Sequence, residues 1–86
     1  MAYRNVIWNH RDILDAIKTR PLIGARVADK TGLETSEIAV YVKQLEEWGM
    51  IKKGEAGHRT KPIMITSKGL KTLTLLNKLE SLMKVD

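Results

Sequence analysis

A chain of 86 residues without cysteine is short enough for one domain, and it can form neither a disulfide nor a thiolate zinc site. Lys and Arg number 15 against 10 Asp and Glu, so the formal net charge of +5 favours a polyanionic partner such as nucleic acid. The opening Met1 to Asn5 lacks the apolar run of a signal peptide, and no stretch is apolar for long enough to span a membrane. We therefore expect a cytoplasmic protein that forms a single domain over residues 1–86, stabilised by dimerisation.

Apolar residues at helical spacing predict two helices in the first third of the chain. The first covers about Arg4 to Thr19 and ends before Pro21. Its repeating apolar residues are Ile7, Ile13, Leu14 and Ile17. The second covers about Gly24 to Thr31, and Gly32 supplies its left-handed C-terminal cap.

A third helix begins at Thr35 or Ser36, since either side chain can accept hydrogen bonds from the free amides of the first turn. It is expected to end at Trp48, just before Gly49. At 3.6 residues per turn, one face carries the apolar residues Ile38, Tyr41, Val42, Leu45 and Trp48. The opposite face carries Ser36, Val40, Lys43, Gln44 and Glu47.

Two short β-prone runs follow, from Met50 to Lys53 and from Pro62 to Thr66. The segment between them contains Gly54 and Gly57, which predicts a hairpin with a longer loop than a tight turn. Thr66 or Ser67 is expected to cap a last helix that reaches about Met83.

The last helix, residues 67–83, has too many leucines for one narrow stripe. We expect Leu70, Leu73 and Leu76 to cover the core of the chain itself. The spacing of Leu75, Leu79 and Leu82 is typical of a seam between two helices, which predicts a homodimer held by this helix. The alternative is a helix wrapped so closely on the first helix that a monomer buries all of these residues.

Three helices, a hairpin and a closing helix indicate an α+β fold that is mainly α, the winged helix-turn-helix. The segment between the second and third helices contains Ala28, a small residue that can pack between the helices, and Gly32, which allows a tight turn. Leu33 follows as an apolar residue that can enter the core. In helix-turn-helix proteins the following helix enters the major groove of DNA, whose width admits an α-helix.

Three segments resemble the winged-helix signature of MarR-, ArsR- and PadR-type regulators. They are VADKTGL at residues 27–33, VKQLEEWGMI at residues 42–51 and ITSKG at residues 65–69. The opening YRN and the segment DILDAI at residues 12–17 look most like small archaeal winged-helix proteins, which close with a long dimerising helix. The resemblance covers nearly the whole chain and implies a dimeric DNA-binding regulator of transcription.

Within that resemblance, three groups of residues are candidates for contact with double-stranded DNA. The recognition helix offers Thr35, Ser36, Val40, Lys43 and Gln44 to the major groove. The hairpin loop, or wing, offers His58, Arg59 and Lys61 to phosphates or a minor groove. Flanking phosphates are expected at Arg20, Arg26 and Lys30. The alternative for each group is that it is simply a solvated part of the surface. Arg20, Arg26 and Lys30 could also form surface ion pairs.

The recognition helix departs from the family pattern because Lys43 is the only cation on its outer face and no arginine is present there. Two further functions therefore stay open, an architectural protein that coats DNA through phosphates and a winged helix that binds another protein. We expect no enzyme activity, no cofactor, no metal site and no evident small-molecule ligand, because no catalytic or phosphate-loop motif is present. His10 and His58 lack the spacing of a zinc site, and His10 is expected to be a partly buried packing residue.

Overall fold

The computed structural model describes residues 6–54 and 61–83. These residues form four helices and an antiparallel pair of strands, which confirms the predicted order of elements. The helices are α1 (Val6–Ile17), α2 (Gly24–Thr31), α3 (Thr35–Glu47) and α4 (Ser67–Met83). The strands are β1 (Ile51–Lys53) and β2 (Ile63–Ile65), with Ile51 opposite Ile65 and Lys53 opposite Ile63.

The end of α1 differs from the prediction, because the helix stops at Ile17 rather than at Thr19. Leu22 pairs with Ile63 as an antiparallel bridge, in which the two backbones exchange hydrogen bonds of 3.2 and 2.7 Å. The chain must leave the helix early in order to reach β2 in an extended conformation, and Pro21 disfavours a helical conformation at the residue before it.

The turn between α2 and α3 is built as predicted on its α2 side and differently on its α3 side. Gly32 has a φ of 77° and its N–H donates to the carbonyl of Ala28, which confirms the left-handed cap. The helix begins at Thr35, one of the two predicted starts, but the residue that precedes and caps it is Glu34, so the prediction that Thr35 or Ser36 is the cap is wrong. The carboxylate of Glu37 accepts a hydrogen bond of 3.3 Å from the backbone N–H of Glu34, as in a capping box.

One hydrophobic core joins α1, α2, α3, the hairpin and α4. Its buried members are Ile13, Leu14, Ala16, Ile17, Leu22, Val27, Ile38, Val42, Leu45, Ile51, Ile63 and Leu73. Three residues predicted to be internal are instead 43–46% exposed, namely Ile7, Trp48 and Leu70. Trp48 follows the last turn of α3 and its ring contacts that of His10. Leu70 lies at the edge of the helix face formed by the buried Leu73 and Leu76.

Two side chains attach α4 to the rest of the fold. Thr66 caps α4 as predicted, because its hydroxyl accepts a hydrogen bond of 3.1 Å from the N–H of Gly69 and donates to the carbonyl of Gly49. Arg11 of α1 holds both carboxylate oxygens of Glu80 at 2.8 and 3.0 Å. Burial lowers the pKa of Arg11, but the hydrogen bond to Glu80 and the charges of Asp12 and Glu80 outweigh this effect, so the pKa is raised.

Candidate nucleic-acid interface

The outer face of α3 is open to solvent, as expected for a helix that enters a DNA groove. Thr35, Ser36, Val40 and Lys43 are all exposed, and Val40 leaves 56% of its surface uncovered. Ala39 is exposed beside Val40 and was not among the predicted contacts. Because Ile38, Val42 and Leu45 anchor the other side of α3 in the core, this outer face is presented rigidly.

Gln44 does not lie on this outer face, so its predicted placement is wrong. Its side chain is half-buried, and its Oε1 lies 2.8 Å from Nε2 of His10 on α1. His10 is buried at 4% exposure and its ring contacts those of Tyr41 and Trp48, each at a centroid distance of 5.0 Å. The expectation that His10 is a packing residue is confirmed, and the carbonyl end of the Gln44 amide is used within the fold.

Charge is distributed unevenly along α3. Lys43 is the only cation of the helix, whereas Glu46 and Glu47 are exposed in its last turn. Carboxylates close to a DNA backbone repel its negatively charged phosphates. Glu34 and Glu37 likewise lie at the N-terminal end of α3, so the middle of the helix, from Ile38 to Leu45, is the part without carboxylates and is therefore the part suited to contact with DNA.

The stem of the wing faces the first half of α3 across a cleft of about 320 Å³. Lys53 and Lys61 line this cleft from the hairpin side, and Thr35 and Ala39 line it from α3. The structure therefore brings Lys61 and the predicted recognition helix together around one space. His58 and Arg59, the other predicted wing residues, lie outside the described residues.

Lys53 is a further candidate contact, in addition to the predicted wing residues His58, Arg59 and Lys61. Alternation along β1 carries the signal, because Lys53 and Ile51 are two residues apart and so lie on the same side of the strand. Ile51 is buried, and Ile63, the partner of Lys53, lines the cleft. Lys53, at the end of this short strand, therefore lies on the side of β1 that faces the core and is still exposed to solvent.

The three residues predicted to contact flanking phosphates are exposed. Arg26 and Lys30 lie one turn apart on α2, and Arg20 lies in the bend between α1 and α2. Over residues 6–54 and 61–83, no cluster of three or more His, Asp or Glu side chains is arranged to hold a metal ion. Within the same ranges, no helix has both the length and the apolar character needed to cross a membrane.

An exposed apolar surface lies on α4, no residue of which lines the cleft. Its exposed members are Leu75, Leu79, Leu82 and Met83, of which Leu82 has 79% of its surface open to solvent. Leu73 and Leu76 on the adjoining face are buried. The exposed apolar stripe of α4, Leu75, Leu79 and Leu82, is therefore only partly covered by the described part of the chain.

Comparison with known proteins shows which family has this arrangement of helices and hairpin. The family model described as winged helix-turn-helix matches residues 7–84. The transcriptional regulator BldR from Sulfolobus solfataricus is 26% identical with a TM-score of 0.80, over 87% of this chain and 56% of BldR. A MarR-family transcriptional regulator from Rhodococcus sp. RHA1 is 25% identical with a TM-score of 0.70, over 76% of this chain and 48% of that protein.

A third solved structure is the protein AF1382 from Archaeoglobus fulgidus, with a TM-score of 0.73. The match covers 90% of this chain and 89% of the AF1382 chain. Its identity of 24% shows a shared fold alone. No curated protein matches the chain in sequence. The chain spans about half the length of the two regulators, 56% of the first and 48% of the second.

Proposed function

Since the chain belongs to the winged helix-turn-helix family, we propose that it is a transcriptional regulator that binds particular double-stranded DNA sites as a homodimer. The observation that carries this proposal is the cleft shared by α3 and the wing. It aligns an exposed helix, which fits a major groove, with two lysines that fit the adjoining phosphates. The net charge of +5 supports the same partner.

The homodimer part of the proposal is supported by the exposed apolar stripe of α4. Contiguous apolar side chains on the surface of a small domain usually mark an interface, and a two-fold axis lets the same patch contact itself. Leu75, Leu79 and Leu82 follow the 4-3 spacing of a helix seam. A two-fold dimer would carry two α3 helices, as recognition of an inverted repeat requires.

Selection of bound sequences from a random DNA pool tests the proposal directly. We expect enrichment of an inverted repeat whose half-sites lie about one helical turn, or 10–10.5 base pairs, apart. The selected site should be bound at least about 10³-fold more tightly than bulk DNA at physiological salt.

The other outcomes of the selection identify the competing functions. Tight binding without enrichment would indicate an architectural protein, for which the single cation of α3 is the supporting observation. Absence of binding at low salt, where phosphate contacts are strongest, would indicate a winged helix that contacts another protein. Either result would contradict the proposed function.

A further inference from the structure

The outer face of α3 lacks the side chains that most often read purines. Arginine or lysine pairs with guanine and asparagine or glutamine pairs with adenine, each through two hydrogen bonds. There is no arginine or asparagine in α3, and its single glutamine, Gln44, is half-buried with Oε1 next to His10. Lys43 is the only charged donor left, and a lysine bonds a phosphate as readily as a base.

What the outer face does offer to a groove is apolar. Ala39 and Val40 are adjacent and exposed at the middle of α3, and more than half of the Val40 surface meets water. Ser36 lies one turn before them and Lys43 one turn after them, so these four side chains form one continuous surface. The apolar pair thus occupies the centre of the surface, with polar groups at both ends.

Only one base carries an apolar group on the major-groove edge. The C5-methyl of thymine distinguishes it from cytosine, and it accepts contact from alanine and other small apolar side chains. Burial of Val40 against a methyl group removes apolar surface of both partners from water, which is favourable in proportion to the area removed.

The cleft fixes which part of the DNA reaches this pair. Ala39 lines the cleft together with Lys53 and Lys61, so a strand whose phosphate is held by the lysines passes beside Ala39. Val40 is the next residue along α3 and does not line the cleft. A single DNA strand can therefore meet the cleft lysines and the apolar pair in succession.

We propose that α3 recognises its site through thymine methyl groups that contact Ala39 and Val40, a proposal that rests on the DNA-binding function proposed above. Each half-site then contains thymine at the positions facing these two residues. Specificity comes from methyl contacts, and the lysines supply affinity without reading the bases.

Deoxyuridine in place of thymine removes the methyl group and leaves the hydrogen-bonding edge unchanged. We would replace each thymine of the selected site in turn and measure the dissociation constant. We expect about a fourfold loss of affinity for each contacted methyl group, and no change at the other thymines. At the same positions, a C·G pair should bind weakly and 5-methylcytosine·G should recover part of the loss, because it restores only the methyl group.

Two variants connect the methyl effect to the protein. In Val40→Ala the side chain shrinks at an exposed position, so the fold is kept and the penalty for deoxyuridine should shrink at one position per half-site. Lys43→Ala is the matched control, which should weaken binding overall and leave the ratio between thymine and deoxyuridine unchanged.

The proposal is overturned if deoxyuridine at every thymine leaves the affinity unchanged, if the selected half-site has no thymine, or if Val40→Ala keeps the full penalty. In each of these cases a selected site still exists, so the proposed regulator function stands. If the pool yields no selected site, the regulator function and the methyl contacts are both overturned.

Discussion

At Gly69 the first turn of α4 passes so close to the entry of the hairpin that only a hydrogen atom fits. A Cβ at this position would overlap the carbonyl oxygen of Met50 and lie 2.8 Å from Cγ1 of Ile65. The Met50 carbonyl is held in place, because it accepts a hydrogen bond of 3.0 Å from the N–H of Thr66. The glycine of the ITSKG segment is thus required by close packing of α4 on the hairpin.

We expect Gly69→Ala to lower the free energy of unfolding by about 1–3 kcal/mol, although alanine is the better helix former. Denaturation with urea, followed by circular dichroism, measures the change. Gly24→Ala is the matched control, since no atom lies within 4 Å of a Cβ there, and it should leave stability within about 0.5 kcal/mol. Equal effects of the two substitutions would show that the approach at Gly69 is not as close as described.

The pair of His10 and Gln44 shows how a buried polar group redirects a neighbouring side chain. His10 lies among aromatic rings and still needs a hydrogen-bond partner, because an unpaired buried polar group costs about 1–3 kcal/mol. Gln44 lies on the flank of α3 that faces α1, within reach of Nε2. The amide therefore contributes to the attachment of α3 to α1.

Among the elements, the hairpin has the clearest predicted effect on general DNA affinity. Lys53 and Lys61 line the cleft from strand β1 and from the segment that enters β2. The double substitution Lys53→Ala with Lys61→Ala should weaken binding to all sequences alike. The log-log dependence of affinity on salt should flatten by about 0.9 for each phosphate that the variant no longer neutralises.

The control for the hairpin changes the same number of charges elsewhere. Lys18 and Lys68 are exposed and do not line the cleft. Replacing both with alanine should leave the salt dependence nearly unchanged. If the control flattened the slope as much as the hairpin double variant did, net charge alone would set affinity, and the cleft would have no special role.

At the scale of the whole molecule, we predict that the exposed apolar stripe of α4 sets the oligomeric state. Leu79 and Leu82 are 46% and 79% exposed in the single chain, so they can change without disturbing its core. Leu79→Glu with Leu82→Glu would place charges in the seam between two copies, which is strongly unfavourable. Sedimentation should show a dimer for the unaltered protein at about tens of micromolar, an affinity range typical of modest interfaces, and a folded monomer for the variant.

Ser81→Glu adds one charge to α4 next to Leu82 and should leave the dimer intact, because Ser81 does not belong to the exposed apolar stripe. A monomeric unaltered protein in the same experiment would contradict the dimer. It would also remove the reason to expect an inverted repeat in the selected DNA.

The sequence by itself determined the order of elements, the left-handed cap at Gly32, the choice of Thr66 or Ser67 as the cap of α4, and most of the buried faces of α1 and α3. Each of these depends on residues within a few positions of one another, through helical periodicity or a local hydrogen bond. The bounds of α2 are confirmed for the same reason. The winged helix-turn-helix could therefore be predicted from short-range patterns alone.

Only the tertiary structure decided which non-core side chains of α3 are exposed. Gln44 and Val40 are both non-core residues of α3, and periodicity placed them together. The partner of Gln44 is 34 residues away on α1, a separation at which no local pattern carries information. The early end of α1 depends likewise on the pairing of Leu22 with Ile63, and the lack of space at Gly69 depends on Met50. These features follow from contacts between distant segments, which exist only once the core has packed.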